Sequence, residues 1–141
     1  MAKPPGPIRI LVVEDYADTR ELYVEYLSMQ GHDVVAAEDG LQALHLAQMT
    51  MPQVIVLDIN LPRLDGLSVL RRIRADPTLD QVRVLTLSAA VGREYEEEAL
   101  EAGADLALHK PLLPEDLHAA LVEMHAGLRA TPAPGRRWGG R

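Results

Sequence analysis

The sequence predicts one α/β domain, built as an open, doubly wound parallel sheet with helices on both faces. Five short apolar runs recur along the chain, and each stays apolar on consecutive residues instead of alternating with polar ones. Strands that are buried on both faces have this pattern, which is typical of parallel sheets covered by helices. Segments with helical spacing lie between the runs, so strands and helices are expected to alternate as βα units.

The five predicted strands follow directly from the apolar runs. Each run has five or six residues, which is the usual length of a strand. In chain order the runs are IRILVV (8–13), DVVAA (33–37), QVIVL (53–57), VRVLTL (82–87) and DLALH (105–109).

The predicted helices are marked by apolar spacing and by residues that start or end helices. Asp18, with Glu21 three residues later, resembles a capping box, and Gly31 is placed to end the same helix. Pro114, followed by two acidic residues, is a typical start for the last helix. Helical spacing of apolar residues occurs at Leu22, Tyr23, Tyr26 and Leu27, and again at Leu117, Leu121, Met124 and Leu128.

The predicted domain covers residues 8–128, between two terminal segments of different composition. Residues 1–7 contain three prolines and a glycine, and residues 129–141 form a basic tail rich in proline and glycine. Both segments are expected to be flexible. A chain of 141 residues with 48% hydrophobic content is long enough to bury one core.

Composition excludes several classes of protein. There is no cysteine, which rules out disulfides, thiolate metal sites and a cysteine nucleophile. No apolar run approaches the roughly 18 residues of a membrane helix, and the N-terminus lacks a signal-peptide core, so we expect a cytoplasmic protein without a membrane partner. A net charge of −7 disfavours direct binding of nucleic acid.

Polar residues that can bind ligands or take part in catalysis follow four of the five predicted strands. Glu14 and Asp15 follow the first, Asp58 the third, Ser88 the fourth and Lys110 the fifth. In a parallel sheet these strand ends share one edge, and ligands bind in the crevice outside it. We therefore expect the five side chains to converge.

Three carboxylates and one ammonium group at one edge carry excess negative charge. Two like charges about 4 Å apart repel by roughly 4 kcal/mol at an effective dielectric near 20, so the site requires protons or a cation. Oxygen ligands of this kind suit Mg²⁺. A carboxylate beside Mg²⁺, a hydroxyl and an ammonium is suited to phosphoryl transfer, with Asp58 as nucleophile and with Lys110 and Ser88 as donors to the phosphoryl oxygens.

In this order the residues resemble the receiver domain of two-component response regulators, which accepts a phosphoryl group from a histidine kinase. The resemblance covers about residues 8–128. Because no DNA-binding domain is recognisable after residue 128, we expect the stand-alone, single-domain type, and an output domain outside this sequence stays open. It rests on the pair Glu14-Asp15, on Asp58, on PRLDG (62–66), on Ser88 followed by Ala89, and on Lys110-Pro111.

The resemblance implies a flavodoxin-like fold of five βα units with strand order 2-1-3-4-5. It also implies that Glu14 and Asp15 hold Mg²⁺ together with Asp58 and the main-chain carbonyl of Asn60. Asp58 would be the phosphoacceptor, and the Lys110-Pro111 peptide bond would be cis.

The resemblance further implies a signalling domain rather than an enzyme, one that at most catalyses its own phosphorylation and dephosphorylation. Its expected partners are a sensor histidine kinase or phosphotransfer protein and an unknown downstream protein. We expect a monomer or a weak dimer.

Two positions depart from the family pattern. The family usually has Tyr or Phe three residues before the Lys, where the ring moves on activation, and this chain has Ala107. The signal would then pass through the 88–94 segment and the helix after it, or through another side chain. Leu112 replaces the Phe that commonly follows Lys-Pro, and another apolar side chain can fill that place.

Two other functions remain open at the level of sequence. One is a phosphorylation-independent interaction module on the same fold, favoured only by Ala107. The other is a Mg²⁺-dependent phosphatase with an aspartyl nucleophile. Phosphatases of the haloacid-dehalogenase type place an acid/base Asp two residues after the nucleophile, whereas this chain has Asn60, which carries no proton between groups.

Overall fold

The computed structural model describes residues 6–89 and 93–130, and in these residues five strands alternate with five α-helices. Every predicted strand is present, with each boundary within one residue of its predicted place. A short 3-10 helix, Pro77–Leu79, precedes the fourth strand. In chain order the elements are β1 (Arg9–Val13), α1 (Ala17–Met29), β2 (Asp33–Ala37), α2 (Gly40–Thr50), β3 (Val54–Asp58), α3 (Gly66–Ala75), β4 (Arg83–Ser88), α4 (Arg93–Glu101), β5 (Leu106–His109) and α5 (Pro114–Ala130).

The strands form one parallel sheet in the order β2-β1-β3-β4-β5, which confirms the predicted topology. Val13 at the end of β1 is aligned with Leu57 of β3, and Asp58 is aligned with Leu87 of β4. The carboxyl ends of the central strands therefore lie side by side. Strand order reverses between β1 and β3, which is where ligands bind in sheets of this kind.

The core has two layers, one on each face of the sheet. In β1, Leu11 and Val13 pack toward α2, α3 and α4, whereas Ile10 and Val12 pack toward α1 and α5. Full burial of such a side chain contributes about 1.5–3 kcal/mol, so the two layers hold the central strands firmly in place. The buried apolar residues of α1 and α5 are Tyr23, Leu27, Leu117, Leu121 and Met124.

One predicted helix boundary is wrong. The helix α1 begins at Ala17 after Tyr16, whose side chain forms no cap, so Asp18 lies within the first turn and forms no capping box. Asp18 can still stabilise the helix there, because the N-terminal end of the helix dipole is positive. The other two boundaries are confirmed: Gly31, with φ of 96°, follows the end of α1, and α5 begins at Pro114.

The terminal segments are described only in part. The helix α5 continues to Ala130, so residues 129 and 130, which the sequence placed in the tail, are helical. Residues 1–5 and 131–141 of the predicted flexible segments, and residues 90–92 of the 88–94 segment, lie outside the described residues. Among the residues that are described, no helix has the length and apolar character to cross a membrane.

Candidate functional site

Glu14 is fixed at the point where β1 ends and the chain turns into α1. Its amide donates to the carbonyl of Ala37 at 3.0 Å, which continues the ladder between β1 and β2, and the residue is 1% exposed. The Tyr16 amide donates to Glu14 Oε2 at 3.2 Å. Arg20, from the first turns of α1, donates to the carbonyls of Glu14 and Asp15 at 2.9 and 3.3 Å. The loop therefore places Glu14 inside the edge of the sheet, while Asp15 remains exposed.

Asp58 is the last residue of β3 and is 2% exposed. The Asn60 amide donates to its Oδ1 at 3.0 Å, and the Ile59 amide donates to the Leu87 carbonyl at 2.9 Å, which ties the following loop to β4. Gly66 starts α3 against this loop, where a Cβ atom would lie 2.5 Å from the Asp58 carbonyl oxygen. Glycine is therefore required at this position by close packing beneath the site.

Lys110 connects the two buried carboxylates. Its Nζ lies 2.8 Å from Oε1 of Glu14 and 3.0 Å from Oδ2 of Asp58. The Lys110 amide donates to the Ser88 carbonyl at 2.9 Å, so the backbone of the residue is aligned with β4. The Lys110-Pro111 bond is cis, as the resemblance implied.

The other two predicted site residues lie at the same edge. Ser88 ends β4 and is buried, one position beyond Leu87, which is aligned with Asp58. Asn60 follows Asp58 by two residues, and its amide contacts the Asp58 carboxylate. The role expected of the Asn60 carbonyl, as a metal ligand, stays a prediction.

The electrostatics of the site are those of crowded carboxylates. Burial raises the pKa of Glu14, and the neighbouring Asp58 adds to this, while Lys110 opposes it. Burial acts to lower the pKa of Lys110, but the two carboxylates outweigh it and the pKa is raised. Oε1 of Glu14 is buried and has the Lys110 ammonium 2.8 Å away, so one positive charge faces two buried carboxylates.

The acidic residues are arranged so that they can hold a metal ion. One carboxylate oxygen from each of Glu14, Asp15 and Asp58 lies within 4.8 Å of the others. The donor set is oxygen only, its three carboxylates face a single ammonium group, and the exposed Asp15 opens the cluster to solvent. These features fit Mg²⁺, which prefers a few carboxylates and retains waters.

Sequence reasoning missed two contacts near the site. The Tyr23 hydroxyl of α1 donates to the Leu112 carbonyl at 2.8 Å. His109 of β5 lies 3.5 Å from Glu96 of α4. This contact is two residues after Ala107, which packs against the layer formed with α2, α3 and α4. The available signal for the first was that a buried Tyr hydroxyl usually finds a partner. The second pairs an exposed His with an acidic helix, which is too common a pattern to single out.

Comparisons with known proteins agree with this geometry. The family model for the response regulator receiver domain matches residues 10–122. The chain is 42% identical over 125 residues to the response regulator MprA of Mycobacterium sp. (strain KMS), covering 89% of this chain and 52% of that protein. It thus spans about half the length of the curated relatives that it matches.

Two solved structures show the same fold. The chemotaxis response regulator CheY4 of Vibrio cholerae superposes with a TM-score of 0.79 at 29% identity, covering 84% of this chain and 98% of that one. The receiver domain of the sensor histidine kinase PA1611 from Pseudomonas aeruginosa PAO1, solved with magnesium coordinated in its active-site cleft, gives 0.78 at 30% identity, covering 86% and 99%. With its strand order and acidic edge, the chain belongs to the response regulator receiver domain family.

Proposed function

We propose that this domain is a cytoplasmic phosphoacceptor in which Asp58 takes a phosphoryl group from a phosphohistidine of a sensor kinase or phosphotransfer protein. The observation that carries the proposal is the position of Asp58, buried at a strand end, with Lys110 on one oxygen and two further carboxylates beside it. A buried carboxylate in an acidic cluster is costly unless a ligand compensates it. A phosphoryl group together with a divalent cation supplies that compensation.

The transfer is an in-line displacement at phosphorus. An Asp58 oxygen forms the new P–O bond while the P–N bond to the donor imidazole breaks, and the electron pair of that bond stays on the imidazole nitrogen. Mg²⁺, when bound by Glu14, Asp15, Asp58 and the Asn60 carbonyl, supplies positive charge for the phosphoryl oxygens.

The residues of the chain orient the acceptor and receive the charge. The Asn60 amide holds Oδ1 of Asp58 from one side. Before transfer, Lys110 contacts the unphosphorylated Asp58 carboxylate. After transfer, its ammonium contacts a phosphoryl oxygen instead, and the Ser88 hydroxyl donates to a second phosphoryl oxygen. Phosphorylation therefore changes the partners of one side chain at the end of β4 and one directly after β5, which is the start of a conformational signal.

The output is a change in protein–protein contacts. Because Ala107 has no ring to move, we propose that the signal passes through β4 and α4, where the exposed His109–Glu96 contact joins α4 to β5. Such a contact contributes little free energy at the surface, so a small shift of α4 is enough to break it.

The test is phosphorylation by a small acyl phosphate, with and without Mg²⁺, followed by intact mass. We expect the mass of one phosphoryl group to be added only with Mg²⁺, and none on Asp58→Asn. Asp65→Asn is the matched control, because Asp65 caps α3 through Ser68 and Asn caps equally well. A Mg²⁺-dependent gain that persists on Asp58→Asn contradicts the proposal, and no gain on the wild type favours an interaction module independent of phosphorylation.

A further inference from the structure

One buried side chain, Tyr23, joins α1 to the loop that carries Lys110. Tyr23 is 2% exposed and lies in the core layer between the sheet, α1 and α5. Its hydroxyl leaves this apolar layer at one point, where it donates to the Leu112 carbonyl at 2.8 Å. Leu112 is two residues after Lys110, so this hydrogen bond acts on the backbone that sets the position of the ammonium.

The loop between β5 and α5 is held at both ends by backbone hydrogen bonds. At one end the Lys110 amide donates to the Ser88 carbonyl, and at the other the amides of Asp116 and Leu117 donate to the Leu113 carbonyl. Pro111, between these ends, has no N–H to contribute. The bond from the Tyr23 hydroxyl to the Leu112 carbonyl thus fixes the middle of the loop.

One side of the loop is open, where it lines a groove of about 460 Å³ together with Ala89 and residues of α1 that include Tyr23. A hydrogen-bond anchor such as the Tyr23 hydroxyl therefore has more influence on the loop than it would in a segment packed on both sides. The contacts of Lys110 with Glu14 and Asp58, at 2.8 and 3.0 Å, depend on where this anchor holds the chain.

The phenol remains a hydrogen-bond donor in this environment. Burial raises the pKa of Tyr23; Lys110 opposes the effect, while Glu14 and Asp58 add to it. The Tyr23 hydroxyl is therefore protonated at neutral pH.

We propose that Tyr23 is a positioning residue for phosphoryl transfer, which fixes the 110–112 backbone through Leu112 so that the Lys110 ammonium meets the phosphoryl oxygens. The inference rests on the proposed function of Asp58 and Lys110. It assigns a role to a helix residue that contacts neither the acceptor nor the metal ligands.

The experiment uses the full chain and the substitution Tyr23→Phe, which keeps the buried ring and removes only the donor. We expect the maximal rate of phosphorylation by an acyl phosphate to fall about three- to tenfold, the range of one hydrogen bond. The donor concentration for half-maximal rate is expected to stay unchanged. Tyr26→Phe, the same change three residues later where the ring contacts His118, is the control and is expected to keep the wild-type rate.

A double-mutant cycle separates positioning from general damage. In a Lys110→Ala background, Tyr23→Phe is expected to have no further effect on rate, because the group that it positions is absent. Equal losses in both backgrounds overturn the proposal in favour of a purely structural role. Amide hydrogen exchange of Lys110, Leu112 and Leu113, measured without phosphate, is expected to quicken in Tyr23→Phe and not in Tyr26→Phe.

The phosphorylation rates of the wild type and of Tyr23→Phe distinguish failure of the proposed function from failure of the positioning role. If the wild type accepts no phosphoryl group, the proposed function fails and the positioning role with it, whatever the exchange rates show. If Asp58 is phosphorylated at the same rate in wild type and Tyr23→Phe, only the positioning role is overturned.

Discussion

The two ends of the sheet each carry a network of charged residues, and the networks differ in how well they are satisfied. At the amino end, Arg74 of α3 lies between two backbone carbonyls and Asp105, 3.0 Å away, which also lies 3.7 Å from Arg83. At the carboxyl end, Lys110 lies between Glu14 and Asp58. Both networks join several strands and helices through partly or fully buried groups.

In the amino-end network, the charged groups find their partners within the protein. Arg74 donates to the carbonyls of Gly103 and Val82 at 2.9 and 2.8 Å and to Asp105 Oδ2 at 3.0 Å. Asp105 accepts in addition from the Val84 amide at 2.9 Å. The carboxyl-end network, by contrast, has three clustered carboxylates and one ammonium group. The first network therefore stabilises the fold by itself, whereas the second has an excess of negative charge that, on the proposed function, Mg²⁺ and a phosphoryl group complete.

The largest expected effect, on stability, comes from removing the carboxylate charge of the amino-end network. In Asp105→Asn, two guanidinium groups lose their anion, and we expect the free energy of unfolding to fall by about 2 kcal/mol, below the 3–5 kcal/mol of a fully buried pair because these side chains are partly exposed. Urea unfolding measures the change. Phosphorylation of Asp58 at 25 °C is expected to be unaffected, and a loss of phosphorylation without a loss of stability contradicts the assignment.

The same carboxylate-to-amide change at the other end is expected to have the opposite sign. Glu14→Gln removes a charge that is costly to bury and that repels Asp58, while Lys110 keeps Asp58 as a partner. We expect stability without Mg²⁺ to rise by about 1 kcal/mol. Added Mg²⁺ is expected to stabilise the wild type and to stabilise Glu14→Gln less, because a ligand is lost.

Thermal unfolding with and without Mg²⁺ measures both parts of this prediction. Asp105→Asn is the matched comparison, because its response to Mg²⁺ is expected to equal that of the wild type. If Glu14→Gln is less stable than the wild type without Mg²⁺, the acidic cluster is already satisfied and the contrast between the two ends fails.

The carboxyl end was largely predictable from the sequence, and the amino end was not. Apolar runs that end in Glu14, Asp58 and Lys110 gave both the strands and the residues that meet at their ends, because parallel strands bring their carboxyl ends to one edge. Arg74 and Asp105 carry no such signal. Their partners are each other, Arg83, and backbone carbonyls and amides, all of which are brought together only by tertiary packing.

Contacts between helix side chains and loop backbone were also beyond sequence reasoning. Spacing showed that Tyr23 belongs to an apolar face, but not that its hydroxyl meets Leu112. Asp18 fitted a capping box, yet Arg20 holds the preceding loop so that α1 starts at Ala17. In both cases the deciding partner lies in backbone whose course a local pattern does not specify.

A neutral pair at the amino end adds a third kind of contact. The Ile8 amide donates to Nδ1 of His32 at 3.1 Å, so the hydrogen of the neutral ring is on Nε2, which lies 2.9 Å from Nε2 of His118. His118 then accepts with Nε2 and carries its own hydrogen on Nδ1. This assignment follows from the hydrogen-bond partners. The pair joins the start of β2 to α5 only while both rings are uncharged.

The smallest predicted effect is therefore a dependence of stability on pH. Burial lowers the pKa of His32; His118 and His125 of α5 lower it further, and Asp33 opposes the shift. Burial also lowers the pKa of His118, whose ring contacts Tyr26 of α1. Because the folded pKa values lie below the unfolded value of about 6.5, the unfolded chain binds protons first as pH falls. The stabilisation is complete above pH 6.5 and is lost as pH falls through the folded pKa values.

His118→Gln is expected to reduce the loss of stability between pH 7.5 and pH 5.5 by about 1 kcal/mol or less, measured by urea unfolding at each pH. His45→Gln is the control, because His45 is exposed on α2. An unchanged pH dependence in His118→Gln would show that the ring pair contributes nothing to the amino end. A reduced dependence would show that the hydrogen bonds at the amino end of the sheet are complete only above the pH range in which histidine titrates. The acidic edge differs, because its own residues do not complete it at any pH.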